Sequence, residues 1–393
     1  MRSLTECRWN CLPVGRYAIL KELGRHSVSE SAPDSVQPGR RRFLRQSFAF
    51  SALASLGSLP ASARELFPGP RAVGSNAAIP KPAAAKPAGT KPADLLMVGD
   101  WGYENFTAQA AVASAMRSYV QANAVQPQSL LMLGDNWYGA LPGGVSSPRW
   151  QRQFESMYPA EVFPGPAYAI LGNHDYQNFP ESKVSAELDY ARTGSSGGKP
   201  TRFFMPSRWY RFEFPAVNPL ITFIALDSNM PYPDGTTVKG RDFTLSHELQ
   251  AEQLAWLEAE LKQPRSTPFL VVMGHHPVYS NGTHGDHPVL VRDWDPLLRK
   301  YNVHCYFAGH DHDLQHLEFE GHPSSFFMSG GGGADLYTLK VQPSVRGPYA
   351  QKVYGFSHLS VTPQEITLRH LDTSGRTLHA FAKSAQGKVR LMA

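Results

Sequence analysis

Five times along this chain, an apolar run ends in glycine and then in a side chain of the kind that binds metal ions. LLMVGDWG reaches Asp100, and SLLMLGDNWY reaches Asp135 and Tyr138. AYAILGNHD reaches Asn173, His174 and Asp175. FLVVMGHHP reaches His275 and His276, and CYFAGHDH reaches His310 and His312. Short apolar runs bounded by glycine read as strands buried on both faces. Glycine there lets the backbone turn sharply or approach a ligand closely. Strand ends that each deliver Asp, Asn or His are what a site at the edge of an α/β sheet requires.

Helical periodicity falls between those runs. Val112, Met116, Tyr119 and Val120 share one helical face, as do Leu254, Leu257 and Leu261, with Pro264 closing the second helix. Both stripes read as core. Further strands are expected at 209–214, 221–227, 326–329, 356–362 and 365–372. Strands outnumber helices late in the chain, which argues for mixed rather than purely parallel sheets.

The donor set Asp100, Asp135, Tyr138, Asn173, His275, His310 and His312 is too large for one ion. Two ions accommodate it if one carboxylate bridges them. Carboxylate, imidazole and amide oxygen suit iron, zinc or manganese better than copper or calcium. A phenolate at Tyr138 favours a trivalent ion, and the absence of thiolates excludes a structural Cys-type zinc site. Two ions ~3.5–4 Å apart can orient a phosphoryl group and supply hydroxide for in-line attack. A protonated histidine can then donate to the leaving alkoxide.

Composition limits the other readings. Residues 1–63 hold nine Lys and Arg against four Asp and Glu, while the rest balances at 29 of each. The basic character therefore belongs to the leader, and no basic stripe points to nucleic acid. Hydrophobic content of 42% with 18% charged residues fits a soluble globular chain. Of three cysteines, Cys7 and Cys11 lie in the leader, so a disulfide framework is excluded downstream and Cys305 reads as a buried strand residue.

The leader segment GRRRFLRQSFAFSALASLGSLPASA (39–63) has a basic start, a moderately apolar middle and an A-x-A end. Its RRRFLR core reads as a twin-arginine export signal, which implies the twin-arginine machinery as partner and a periplasmic or secreted product. The apolar part is too short to span a bilayer, so no membrane span is expected in the mature protein. Residues 1–38 are either an extended n-region or a misassigned start. Residues 64–93 form a Pro/Ala/Lys-rich linker, and the catalytic domain is expected over 94–393.

The set GDWG, GDNWY, GNHD, GHHPVYS and GHDH resembles the purple acid phosphatases. It is most similar to the short, tartrate-resistant type within the calcineurin-like metallophosphoesterases, over about 94–381. The resemblance implies an α/β or α+β fold, a four-layer α/β/β/α sandwich with two mixed sheets. It implies ferric iron on Asp100, Tyr138 and His312, and a divalent metal (Fe2+, Zn2+ or Mn2+) on Asn173, His275 and His310, with Asp135 bridging. His174 and His284 match histidines that bind phosphate or protonate the leaving group. The expected activity is hydrolysis of small phosphate monoesters. A phosphodiesterase or nucleotidase on the same site, peroxide-driven redox chemistry and a non-catalytic secreted binder are the alternatives. His276 and Tyr103 depart from the family pattern, where an aromatic and a glycine are usual. The glycine-rich SGGGGADLY (329–337) reads equally as a wall close to substrate or as a flexible loop. The loop over 229–242 is shorter than its counterpart in animal relatives, which argues against regulation by its cleavage. Asp286, His287, His304, His316 and His322 read as polar loop residues or as residues that support the ligands from behind.

Overall fold

The computed structural model describes residues 91–177, 183–194, 200–231 and 244–392. The leader, most of the linker and the 229–242 loop from residue 232 onward lie outside the described residues.

The strands in chain order are β1 (Ala93–Val98), β2 (Pro127–Met132), β3 (Ala167–Ala169), β4 (Phe203–Phe204), β5 (Tyr210–Phe214), β6 (Ile221–Ala225), β7 (Phe269–Met273) and β8 (Cys305–Ala308). They continue with β9 (Leu314–Leu317), β10 (Ser325–Ser329), β11 (Pro348–Gln351), β12 (Gly355–Val361), β13 (Glu365–Asp372), β14 (Thr377–Ser384) and β15 (Val389–Met392). The helices are α1 (Thr107–Ala122), α2 (Asn173–Tyr176), α3 (Lys183–Thr193), α4 (His247–Lys262), α5 (Pro288–Asp293) and α6 (Asp295–Lys300).

The strands form two mixed sheets. Sheet one runs β15-β14-β13-β12-β1-β2-β3-β4, with β1 to β4 parallel and β12 antiparallel to β1. Sheet two runs β11-β9-β10-β8-β7-β6-β5, with β6, β7, β8 and β10 parallel. The expected strands at 209–214, 221–227, 326–329, 356–362 and 365–372 correspond to β5, β6, β10, β12 and β13.

Alternation along sheet two explains why its strands are apolar throughout. Phe269, Val271 and Met273 of β7 and Cys305 and Phe307 of β8 join the core shared with sheet one. Leu270, Val272, Tyr306 and Ala308 point the other way, into a second core with Leu257, Leu261, Leu290 and Leu298 from α4, α5 and α6. A strand covered on both faces has no polar side to present. On sheet one, Phe356 and His358 turn toward α1, where the Tyr119 ring meets Phe356 and its hydroxyl lies 2.9 Å from His358 Nδ1. The result is the four-layer α/β/β/α arrangement. Cys305 is fully buried, as expected. No helix among the described residues is long and apolar enough to cross a membrane.

Part of the seam between the sheets is polar. His370 of β13 donates from Nε2 to the Gln315 carbonyl of β9 at 3.0 Å, and its Nδ1 lies 2.8 Å from Ser357 Oγ. His316 Nδ1 lies 2.8 Å from His379 Nε2 across the same seam, with Glu318 on the far nitrogen of His316 at 2.7 Å. Burial first, then His379, pushes His370 down to about 3. His379 is pushed down to about 4, again by burial first. These rings are neutral in the fold and take up protons below about pH 6.5 once unfolded. Unfolding therefore consumes protons between about pH 6.5 and about 4, and stability falls as pH falls through that window. Replacing His370 with Gln should make that fall shallower. Denaturant midpoints compared at pH 7 and pH 5 test it, and identical pH slopes for variant and wild type would contradict it.

Candidate metal centre

The five ligand-bearing turns all follow the carboxyl ends of parallel strands. Asp100 follows β1, Asp135 and Tyr138 follow β2, and Asn173 and His174 follow β3, which are adjacent in sheet one. His275 follows β7, and His310 and His312 follow β8, adjacent in sheet two. Neighbouring strands lie roughly 4.8 Å apart, so residues at the same end of adjacent strands begin close together.

Backbone conformation brings them closer. Asp100, Asp135 and His310 have φ of 59°, 50° and 70°, a region that non-glycine residues enter at a cost of about 1–2 kcal/mol. Bonds between the turns hold them there. Asp100 N–H donates to Gly134 O, and Ala334 N–H to Asp100 O, both at 3.0 Å. His310 N–H donates to the Asp100 carboxylate at 2.9 Å, and His174 N–H to Asp135 Oδ1 at 2.8 Å. Gly134 has φ of 85°, and a Cβ there would lie 2.6 Å from His275 Nδ1, so this turn requires glycine twice over.

All seven predicted donors meet. Tyr138 Oη lies 3.2 Å from Asp100 Oδ1 and 3.0 Å from His312 Nε2, and His312 Nε2 lies 3.4 Å from Asp100 Oδ1. Asn173 Oδ1 lies 2.9 Å from His310 Nδ1 and 3.2 Å from His275 Nε2, and the two histidine nitrogens are 3.3 Å apart. Asp135 reaches both trios, 3.4 Å from His275 Nε2 and with a carboxylate oxygen within 4.8 Å of an Asp100 oxygen. Asp100, Asp135 and His275 each place a ligand atom within 4.8 Å of the others.

The donors are chemically suited to cations. His275 Nδ1 faces the Leu133 carbonyl at 2.9 Å, and His312 Nδ1 faces the Asp335 carbonyl at 2.6 Å. A carbonyl can only accept, so both Nδ1 atoms carry the hydrogen and both Nε2 lone pairs face the cluster. Asp100 and Asp135 are buried, and the ion-pair partners that reach them are histidines. Burial opposes ionisation of Asp135, yet His275 and His174 hold its carboxyl well below the usual range. Burial likewise opposes a charge on His275, but Asp135 and Asp100 raise it to about 10. Burial, then Asp135 and Asp100, pushes Tyr138 well above its ordinary value, so a strongly charged cation must replace its proton before it ionises.

His174 and His284 flank the cluster. The His174 ring lies 4.1 Å from Tyr138, and the His284 ring 4.1 Å from His310. His284 is anchored on Asp311, whose Oδ1 accepts from His284 N–H at 3.1 Å and lies 2.8 Å from Nδ1, while Ser280 Oγ donates to Oδ2 at 2.5 Å.

Several supporting residues carried no signal of their own in the sequence. Asp175 accepts from Gly172 N–H at 2.8 Å, Asn136 N–H at 3.1 Å and Trp137 N–H at 2.8 Å, tying the GNHD turn to the GDNWY turn. Glu187 accepts from Asn136 Nδ2 at 2.8 Å, and Lys183 donates to Trp137 O at 2.8 Å. Burial, then Asp135, pushes Asp175 up to about 6. The Arg149 guanidinium donates to Gly102 O, Tyr138 O and Ala140 O at 2.7–2.8 Å. Asp175 reads in the sequence as one more metal-type side chain of the GNHD turn, but its carboxylate is taken up by three backbone N–H groups; Asn136 lies in GDNWY and Asp311 in GHDH with no spacing that points to a supporting role. The remaining histidines and Asp286 also have partners: His322 pairs with Asp295 at 2.7 Å, His287 Nδ1 accepts from Leu290 N–H at 3.4 Å, and Asp286 accepts from Ser280 N–H at 3.0 Å. His304 Nδ1 accepts from Leu270 N–H at 3.2 Å.

Residues 94–314 match the family model for calcineurin-like phosphoesterases. The chain belongs to that family. Tartrate-resistant acid phosphatase type 5 of Oryctolagus cuniculus is 31% identical over 301 residues, covering 72% of this chain and 87% of that protein. Purple acid phosphatase 7 of Arabidopsis thaliana is 29% identical over 304 residues, covering 74% and 85%. Among solved structures, GAP50, described as the anchor in the inner membrane complex of Plasmodium, aligns with a TM-score of 0.61 at 19% identity, over 74% of this chain and 88% of that one. The purple acid phosphatase PPD1 from yellow lupin aligns at 0.56 and 17% identity, over 75% and 54%. At these identities the structures share the fold, and the site must be argued from its own residues.

The glycine-rich stretch within this phosphoesterase is a packed wall rather than a flexible loop. Gly330 to Ala334 are buried. Gly332 N–H donates to Gly99 O at 3.1 Å, and the Asp335 carbonyl orients His312. A Cβ on Gly330 would lie 2.2 Å from Asp311 O and 2.9 Å from Asp100 Oδ2. Gly330→Ala should cost about 1–3 kcal/mol of stability and displace Asp100. Denaturation and elemental analysis check this, and a variant with wild-type stability and metal content would refute it.

Proposed function

We propose that the protein is an exported acid phosphatase. In this reading it hydrolyses small phosphate monoesters at a dinuclear centre of ferric iron and a divalent ion (Fe2+, Zn2+ or Mn2+). The observation that carries this reading is that two donor trios share one buried carboxylate. Asp100, Tyr138 and His312 form the first trio and Asn173, His275 and His310 the second, and Asp135 lies 3.4 Å from His275 and within 4.8 Å of Asp100. The first trio includes the only phenol, a hard anionic donor once ionised, and would take the ferric ion. The second offers donors that coordinate without negative charge and would take the divalent one. Asp135 would bridge. The kinship to acid phosphatases in rabbit and Arabidopsis supports the reaction class.

When bound, the ion pair would neutralise phosphoryl charge and acidify water. The protein's own residues do the rest. His284 keeps Nδ1 on Asp311, so its Nε2 is the nitrogen that offers a proton to the leaving oxygen. His174, over Tyr138, and His284, over His310, would flank the phosphoryl group from the sides of the two trios. Asp175, Arg149 and the glycine-rich wall hold the turns in place. Residues 39–63 would direct export through the twin-arginine route, residues 64–93 would space the leader from the enzyme, and residues 94–393 would form the catalytic domain.

The purified enzyme should bind two metal ions per chain and turn over p-nitrophenyl phosphate faster than its bis ester, with an optimum below pH 7. Faster turnover of the diester would make it a phosphodiesterase, and no turnover of either would reject the proposal. Tyr138→Phe should bleach the visible band of the oxidised protein; a wild-type protein that is colourless with two ions bound would rule out the iron assignment. Asp311→Asn should lower kcat on alkyl phosphates about tenfold or more, and less on p-nitrophenyl phosphate, whose leaving group needs little protonation. Equal losses on both substrates would remove His284 from the acid role.

A further inference from the structure

His276 has no part in the chemistry above, yet its ring stands at the edge of the centre. It lies 4.3 Å from the His310 ring, the same neighbour that His284 contacts, and 5.3 Å from His287. His276 and His310 are both partly exposed, and their rings pack together.

One serine determines how His276 presents itself. Its backbone N–H donates to Ser228 Oγ at 2.7 Å, and its Nδ1 lies 2.9 Å from the same oxygen. Ser228 is fully buried. If Nδ1 were the donor, the Ser228 hydroxyl hydrogen would be enclosed with no acceptor, at a cost of about 1–3 kcal/mol. The hydroxyl therefore donates to Nδ1, and the ring hydrogen sits on Nε2. Among the described residues Nε2 has no hydrogen-bond partner, and the His276 residue is partly exposed. An unpartnered, oriented N–H beside His310 is a ready donor for an anionic oxygen.

We propose that His276 is a substrate-binding residue, its Nε2–H fixed by Ser228 and donated to a phosphoryl oxygen of the monoester. This rests on the phosphatase reading and adds to it a contact on the His310 side of the site. Such a contact holds substrate and inorganic phosphate alike, so it acts on binding more than on the chemical step.

Calorimetric titration of the metal-loaded full-length enzyme with inorganic phosphate tests this, alongside KM and kcat on p-nitrophenyl phosphate. His276→Phe, which keeps a ring but loses the donor, should weaken phosphate binding about tenfold and raise KM similarly, with kcat changed less than about twofold. His276→Gln, which keeps an N–H at the same reach, should recover most of that affinity. Ser228→Ala leaves the ring but frees its tautomer and should weaken phosphate binding severalfold, giving a second reading if the Phe variant misfolds. Nitrogen NMR of the imidazole should show the Nε2–H tautomer in the wild-type protein. Unchanged phosphate affinity in His276→Phe or in Ser228→Ala, a Gln variant no better than Phe, or an Nδ1–H tautomer would overturn the proposal. A wild type that binds phosphate but hydrolyses neither ester would reject the phosphatase reading and leave this contact standing.

Discussion

Two buried carboxylates cannot both stay charged at one place unless positive charge stands with them. Asp100 and Asp135 meet that condition at the point where the two sheets bring their strand ends together. The rest of the architecture serves this demand. Three residues accept left-handed backbone, two histidines direct their hydrogens to carbonyls, and the turns bond to one another rather than to water. Around the two carboxylates stand imidazole, phenol and amide donors, the set a multivalent cation would use.

Much of this was legible in the sequence, for a specific reason. The five ligand-bearing turns follow strands buried on both faces, and such strands write themselves as unbroken apolar runs that glycine then interrupts. β13 and the two long helices were equally plain from period alone. Short β4, β9 and β11 were not, because two to four residues carry no readable period. β14 and β15 mix polar and apolar positions at the sheet's edge and fell below the same threshold.

The supporting residues were hidden for a different reason. Leu133 and Asp335 orient the histidines through backbone carbonyls, and every residue has one of those. Lys183 and Glu187, four apart on α3, would pass for a solvated helix pair. Only packing shows that both are buried behind the Asp135 turn. The glycine-rich wall was ambiguous because glycine serves mobility and close approach equally well, and contact distances alone separate the two. Family membership by itself decides less than these contacts do, since the fold is shared with a protein described as an anchor.

Arg149 has one further consequence. Its guanidinium holds carbonyls from the GDWG turn and the GDNWY turn in a single planar fork. Asp100 and the Asp135–Tyr138 pair are thereby fixed relative to each other before any ion arrives. The protein thus bears the entropy of ordering these turns when it folds, and a ligand of the cluster would meet donors already in place.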